Sequence, residues 1–299
     1  MMTKGVSSIM GKGFLGKNRM NLQGAKYFLL VILFILIAGW PSSGQTSNLI
    51  QQVSNGRIDW TNRIIEAVGR STYPANANDK AQARSIAMSQ AVRVARENLI
   101  TIIKNIPLES KILVSDFLDS HHSRLTSLVS YIKRTGQVDI LFEDKGEVKA
   151  TLSLKFNGPL ADLFLPEHIK VIKQIKRSAS CPKEPKKTYT GIIIDCSGIG
   201  FKPCVIPKIV NERKEEIFGP AYVSRECVVK QGMVKYVVPP DSRIKKLWGG
   251  PNPLVLKALR VIKGTPTIVV LTNSDAELIR DEPRNLELFH HCRVVFLIK

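Results

Sequence analysis

The chain predicts an α+β fold, and three patterns carry that reading. Between Lys80 and Asn105, apolar residues recur at every third or fourth position: Ala83, Ile86/Ala87, Ala91, Val94/Ala95, Leu99 and Ile102/Ile103. That is the period of a helix with one buried face. Gln137–Glu143 and Glu147–Phe156 alternate apolar and polar residues on either side of Asp144-Lys145-Gly146, the signature of a hairpin. Beyond residue 189 the apolar residues fall in short unbroken runs, Thr190–Asp195, Thr267–Leu271 and Arg293–Ile298, as in strands buried on both faces.

These patterns predict an N-terminal three-stranded antiparallel sheet packed by two helices. Its first strand is Arg57–Thr72, with Ile58, Trp60, Ile64 and Val68 on one face. Tyr73-Pro74-Ala75-Asn76 breaks it, and Asp79 stands where a helix N-cap belongs. In the long helix that follows, Ala83, Ala87, Ala91 and Ala95 are small enough to let the sheet approach closely. A weaker second helix covers Ser115–Tyr131 through Phe117, Leu118, Leu125, Leu128 and Val129. The hairpin supplies the other two strands.

The C-terminal part reads as a mixed α/β domain ending in a βαβ unit. Val205–Val210, Val223–Val229 and Gly232–Val238 are strand candidates, and Asn252–Ile262 is a short helix candidate. A helical stretch over Ser274–Cys292 then joins the strands Thr267–Leu271 and Arg293–Ile298, which suggests a parallel crossover. The expected organisation is therefore a signal peptide (1–44), a spacer (45–56), an α+β domain (57–165), a basic linker (166–188) and a C-terminal α/β domain (189–299).

The export signal is the longest apolar run, Tyr27–Trp40. As a helix, 14 residues rising ~1.5 Å each reach about 21 Å, short of a ~30 Å hydrocarbon core. Lys4, Lys12, Lys17, Arg19 and Lys26 precede it, and Pro41-Ser42-Ser43-Gly44 supplies a breaker and a small-residue exit. A basic n-region, a short h-region and such an exit form a secretory signal peptide. Cleavage near Gln45 places the mature protein in the periplasm or at the outer membrane; the opposing reading is an uncleaved anchor. No cysteine stands at the exit, so no site for lipid attachment is seen there.

Of the 44 Lys and Arg, five lie in residues 1–44, which leaves 39 against 25 acids, or +14. Such a charge favours anionic envelope surfaces. Aromatic residues make up only 7% and are not interleaved with the basic ones, which argues against nucleic acid as partner. Glu167–Lys187 gathers seven basic residues and two acids with Pro182 and Pro185. It reads as a linker or, through Ile169, Ile172 and Ile175 beside Lys170, Lys173, Lys176 and Arg177, as a basic amphipathic segment lying on an anionic surface.

No segment carries the spacing of a catalytic or cofactor motif. Asp195-Cys196-Ser197-Gly198-Ile199-Gly200 places a GxG after a strand, but the third glycine is missing and Pro203 follows. A dinucleotide fingerprint needs a helix there, so the glycines read as turn residues. Asp195 is the one cleft candidate. His121-His122 and His290-His291-Cys292 lack a matching ligand set, so no metal and no cofactor are expected. Cys196 and Cys204 flank one predicted turn and are the candidate disulfide among five cysteines.

Trp60, Ala67-Val68-Gly69, Pro74-Ala75-Asn76, Gln82-Ala83-Arg84 and Ala91-Val92-Arg93-Val94-Ala95-Arg96-Glu97-Asn98-Leu99 occur in an order that resembles the bacterial LPP-twenty envelope lipoprotein family. In outline the segment is also similar to the N-terminal domain of flagellar assembly protein T. The C-terminal part resembles that of longer members, through Thr190–Cys204, Ile217–Tyr222, Gln231-Gly232-Met233 and Asn252-Pro253-Leu254. The resemblance implies a non-catalytic envelope protein, a binding or structural module at the envelope or at the base of a surface organelle such as the flagellum. Its partner would be an envelope protein or an anionic envelope surface. The alternative from another class is a hydrolase of a cell-wall or surface polymer with Asp195 as its acid.

Overall fold

The computed structural model describes residues 48–77, 79–165, 188–239 and 249–299. The expected signal peptide, nearly all of the basic linker with Lys170, Lys173, Lys176 and Arg177, and Cys181 lie outside them. Among the described residues no helix is long and apolar enough to cross a membrane.

The N-terminal sheet has five strands in the order β1-β2-β3-β7-β6, all antiparallel. These are β1 (Ile50–Val53), β2 (Gly56–Asp59), β3 (Ile64–Thr72), β6 (Gln137–Phe142) and β7 (Glu147–Lys155). Three strands were expected, and the two differences have physical causes. Residues 45–56, read as spacer, contribute β1, whose Ile-Gln-Gln-Val is too exposed to alternate. The single strand expected over 57–72 is two, because the chain turns at residues 60–63 with Arg63 at φ 56°. The turn shifts the side-chain phase. Ile58 and Trp60 are buried before it, but Ile65 and Ala67 rather than Ile64 and Val68 are buried after it.

Helix α1 (Lys80–Lys104) is nearly as expected, with Asp79 accepting a hydrogen bond from the Gln82 N–H at 2.7 Å. Ala83, Ala87, Ala91, Ala95 and Leu99 form its buried face. A methyl group on Gly69 of β3 would overlap the Ala91 carbonyl oxygen and the Ala95 nitrogen, so helix and sheet meet backbone to backbone. Trp60, Leu99 and Leu152 are buried in one core, with Ile140 packed against it.

A short hairpin, β4 (Pro107–Glu109) and β5 (Ile112–Leu113), follows. The second expected helix is two, α2 (Val114–Asp119) and α3 (His122–Arg134), which bury Leu118, Leu128 and Ile132. The break falls at His121, whose ring stacks on Phe117 and hydrogen-bonds the Phe117 carbonyl oxygen at 2.8 Å. Helix α4 (Pro159–Asp162) then buries Leu160 and Ala161.

The C-terminal part is mixed α/β, built on two four-stranded sheets. One is wholly parallel, in the order β11-β15-β8-β12, from β8 (Ile192–Asp195), β11 (Lys235–Val237), β12 (Leu254–Lys257) and β15 (Val294–Leu297). The other is mixed, in the order β10-β9-β14-β13, from β9 (Lys208–Asn211), β10 (Glu216–Phe218), β13 (Arg260–Ile262) and β14 (Thr265–Leu271). The expected helix at 252–262 is instead β12 and β13, a chain crossing from one sheet to the other. The expected strand at 223–229 is helix α5 (Arg225–Gln231), whose N-cap Ser224 accepts from the Cys227 N–H at 3.1 Å. Helices α6 (Asn273–Asp281) and α7 (Pro283–His290) connect β14 to β15. Since these strands belong to different sheets, the terminal unit is a bridge between sheets and not a crossover within one.

Residues 46–299 make one compact unit. Its main core draws on both sides of residues 166–187, including Trp60, Leu99 and Leu152 from one side and Phe218, Tyr236, Phe289 and Phe296 from the other. Polar joints run along the seam. Backbone N–H groups of Val205 and Ile206 donate to the Pro107 and Leu108 carbonyls at 3.0 and 2.8 Å, and Gly158 N–H donates to Val229 at 2.8 Å. The Thr61 hydroxyl donates to the Tyr236 carbonyl at 3.1 Å while accepting from Leu49 N–H at 2.9 Å.

Candidate functional site

Among the described residues, an apolar cavity lies on this seam. The end of β2, the turn after it and the start of β3 supply Ile58, Asp59, Trp60, Arg63 and Ile65, with Ile106, Phe156, Ala161 and Leu165 beside them. Opposite stand Cys204 and Val205, Val228 of α5, and Gly232, Met233, Val234 and Tyr236 leading into β11. They enclose a cavity of about 40 Å³. Its walls are mostly apolar because each half lays the buried face of a turn or strand against the other.

Most polar groups on these walls are engaged in holding the fold. Tyr236 donates its hydroxyl to the Cys204 carbonyl at 2.8 Å and accepts from the Cys204 N–H at 3.2 Å. The Trp60 indole, set edge-on to Tyr236 with centroids 5.8 Å apart, donates to the Gln51 side chain at 2.9 Å. Asp59 accepts from the Asn62 N–H at 2.9 Å, and from the Asn62 and Asn48 amides at 2.8 and 3.1 Å. Burial pushes the Cys204 thiol up to about 12, so it stays protonated and a poor nucleophile at neutral pH.

Arg63 is different. Its Nη1 is buried without a hydrogen-bond partner, and desolvation draws the guanidinium below its ordinary value. Arg63 also has a left-handed backbone, at φ 56°, uncommon for a residue with a side chain. Gly232 accommodates it: a Cβ there would sit 2.5 Å from Nη1. Sequence reasoning passed over Arg63, which fell inside the single strand expected over residues 57–72.

Asp195 lies elsewhere, at the carboxyl end of β8 and away from the cavity walls. Its Oδ1 accepts from the Ser197 N–H at 2.9 Å, closing the turn that Gly198 and Gly200 complete at φ 76° and 71°. Hydrogen bonding to Ser197, aided by the Lys257 charge, holds its carboxyl below the usual range against the opposing effect of burial. This is a turn cap.

Cys196 and Cys204 are free and buried, so the candidate disulfide is absent. Burial also raises Cys196 and Cys292 to about 12. His121 and His122 are exposed, and the His290 and His291 rings stand 5.5 Å apart at right angles. Among the described residues no three His, Cys, Asp or Glu side chains converge as a metal site would require.

A comparison with curated proteins finds no match. Residues 191–299 match the model of a family described as Treponema pallidum Tp0624, second domain. The match leaves out residues 57–157, on which the expected resemblance to the LPP-twenty family rests, and takes in Asp195 and one wall of the cavity. The C-terminal part of the chain is thus similar to a domain of bacterial proteins of that family.

Proposed function

We propose that the protein is a non-catalytic, exported binding module of the bacterial cell envelope. One observation carries the binding part of this reading. The cavity on the seam is apolar, its acid, hydroxyl and indole N–H are engaged in the fold, and its unsatisfied group is a cation. A guanidinium can hold an anion, but it remains protonated in water and makes a poor general base. The apolar Tyr27–Trp40 run with its basic approach supports the envelope location, as does the resemblance of residues 57–157 to the LPP-twenty family. An anionic envelope surface or envelope protein is the partner that the +14 charge favours.

Two measurements test it, one on fractionated cells and one on the purified protein. Fractionation followed by N-terminal sequencing should find the mature chain in the periplasm or outer membrane, beginning near Gln45. An intact Tyr27–Trp40 segment in the inner-membrane pellet would contradict export. The purified protein should turn over no peptidoglycan or surface polysaccharide. Turnover that vanishes in Asp195→Asn would replace this reading with the hydrolase.

A further inference from the structure

We infer that two hairpin tips at one end of the mixed sheet form a docking surface for an anionic phospholipid bilayer. The inference rests on the proposed envelope role and names the component contacted.

The two tips are fixed side by side. The β4–β5 hairpin turns at Ser110-Lys111 and the β13–β14 hairpin at Lys263-Gly264, with Ser110 at φ 50° and Gly264 at φ 74°. The Thr267 hydroxyl donates to the Ser110 carbonyl at 3.1 Å. Nζ of Lys111 stands 3.7 Å from where a Cβ on Gly264 would lie. Lys202 joins them, since its N–H donates to the Pro266 carbonyl at 2.9 Å. Arg260 begins β13, the edge strand.

Lys111, Lys202, Arg260 and Lys263 are all exposed. Among the described residues none of the four forms an ion pair. Glu109, two residues before Lys111, is already matched by Lys208 at 3.1 Å. Unmatched cations repel one another in the free protein, and an anionic partner offsets that repulsion. The other end of the sheet carries the opposite sign. There α6 follows β14 and holds Asp275, Glu277 and Asp281 against one cation, Arg280. The resulting dipole turns the hairpin tips toward an anionic surface.

The cations choose the sign of the partner, and the apolar side chains among them choose its kind. Ile112 is 41% exposed beside Lys111, and Leu259 is 47% exposed beside Arg260. At a headgroup boundary the cations meet lipid phosphate while the aliphatic groups enter the acyl edge. A glycan polymer would give Ile112 and Leu259 no apolar phase. Each cation near a lipid surface raises affinity roughly fivefold, at ~1 kcal/mol.

The test is co-sedimentation of the chain from Gln45 onward with vesicles of phosphatidylcholine, alone or mixed with phosphatidylglycerol. Binding should require phosphatidylglycerol and weaken as salt rises. Lys111→Gln with Lys263→Gln should lose about 25-fold, two cations at roughly fivefold each. Ile112→Ser should weaken binding at high salt as well as low. Arg213→Gln with Lys214→Gln removes the same charge from the turn at the far end of β9, and should stay within about twofold of wild type. These side chains are exposed, so every variant should keep the wild-type denaturation midpoint. Equal binding to both vesicles, binding to neither, or a Lys111, Lys263 double variant that binds like wild type would overturn the inference. So would a loss that follows Lys170→Gln with Lys173→Gln instead, which would put the contact on the basic segment. A chain that is exported and sediments with peptidoglycan yet ignores both vesicles keeps its proposed role and loses only this surface.

Discussion

The two halves that meet at the cavity reach close packing by opposite means. Around β3 and α1 the closest contact is made by the smallest residues, Gly69 against Ala91 and Ala95, and at that point helix backbone meets strand backbone with no side chain between them. Around β8, β15 and α7 the space is filled by rings: Phe201 meets Phe296 at 5.2 Å, Phe218 meets Phe289 at 4.8 Å, and Tyr236 meets Phe296 at 6.0 Å. The N-terminal half should thus suffer most from added atoms, and the C-terminal half from removed ones. Interiors pack densely enough for either change to be felt.

The largest effect should come from deleting a ring. Phe296 is fully buried, so Phe296→Ala should cost about 3–5 kcal/mol in chemical denaturation. A loss under about 1 kcal/mol would mean that the rings are not what fills this half. Leu99→Ala, in the buried face of α1, should cost about 2–5 kcal/mol. Gly69→Ala adds a single methyl group and should still cost about 1–3 kcal/mol, since α1 must retreat from the sheet. An unchanged midpoint in that variant would break the comparison on the N-terminal side.

Smaller effects should separate two carboxylates of the C-terminal half. Asp195 is held below its usual range, so its contribution is present above about pH 3.9 and is lost as pH falls through the folded value. Asp195→Asn should cost less than about 1 kcal/mol at pH 7, because the amide oxygen still accepts from Ser197. That gap should close in acid. Glu216 shifts the other way: burial raises its carboxyl, so the associated stability is present below about pH 4.3 and is lost as pH rises through the folded value. Glu216→Gln should leave stability equal or a few tenths of a kcal/mol higher at pH 7. If both variants respond alike to pH, the assignment of these two sites is wrong.

The same contrast governs how much could be read from the residues. In the N-terminal half one sheet face is open, so β6 and β7 alternate and their hairpin is legible residue by residue; α1 is equally so, down to Asp79. The central C-terminal strands β8 and β15 are buried on both faces. Ile192–Ile194 and Val294–Phe296 show no alternation, and such short apolar runs do not distinguish strand from helix. That is why Val223–Val229 read as a strand although Ser224 caps a helix; Leu254–Lys257, buried on one face only, read as helical because Leu254, Val255, Ala258, Leu259 and Ile262 fall at helical spacing. The turn after Asp195 was legible from Gly198 and Gly200, but Asp195 itself read as a cleft residue, since a carboxylate at a strand end looks the same whether it caps the turn or lines a cleft. Arg63 was not legible, because its burial depends on Gly232 and on a wall built well over a hundred residues later.

The account turns on the cavity being part of one core closed by both halves. Equilibrium unfolding of the mature chain, followed in parallel by tryptophan fluorescence and far-ultraviolet circular dichroism, tests that most directly. The account predicts one transition with coincident midpoints, shifted equally by Leu99→Ala and Phe296→Ala at matched loss of stability. Two separated transitions, each moved by only one of these variants, would contradict it.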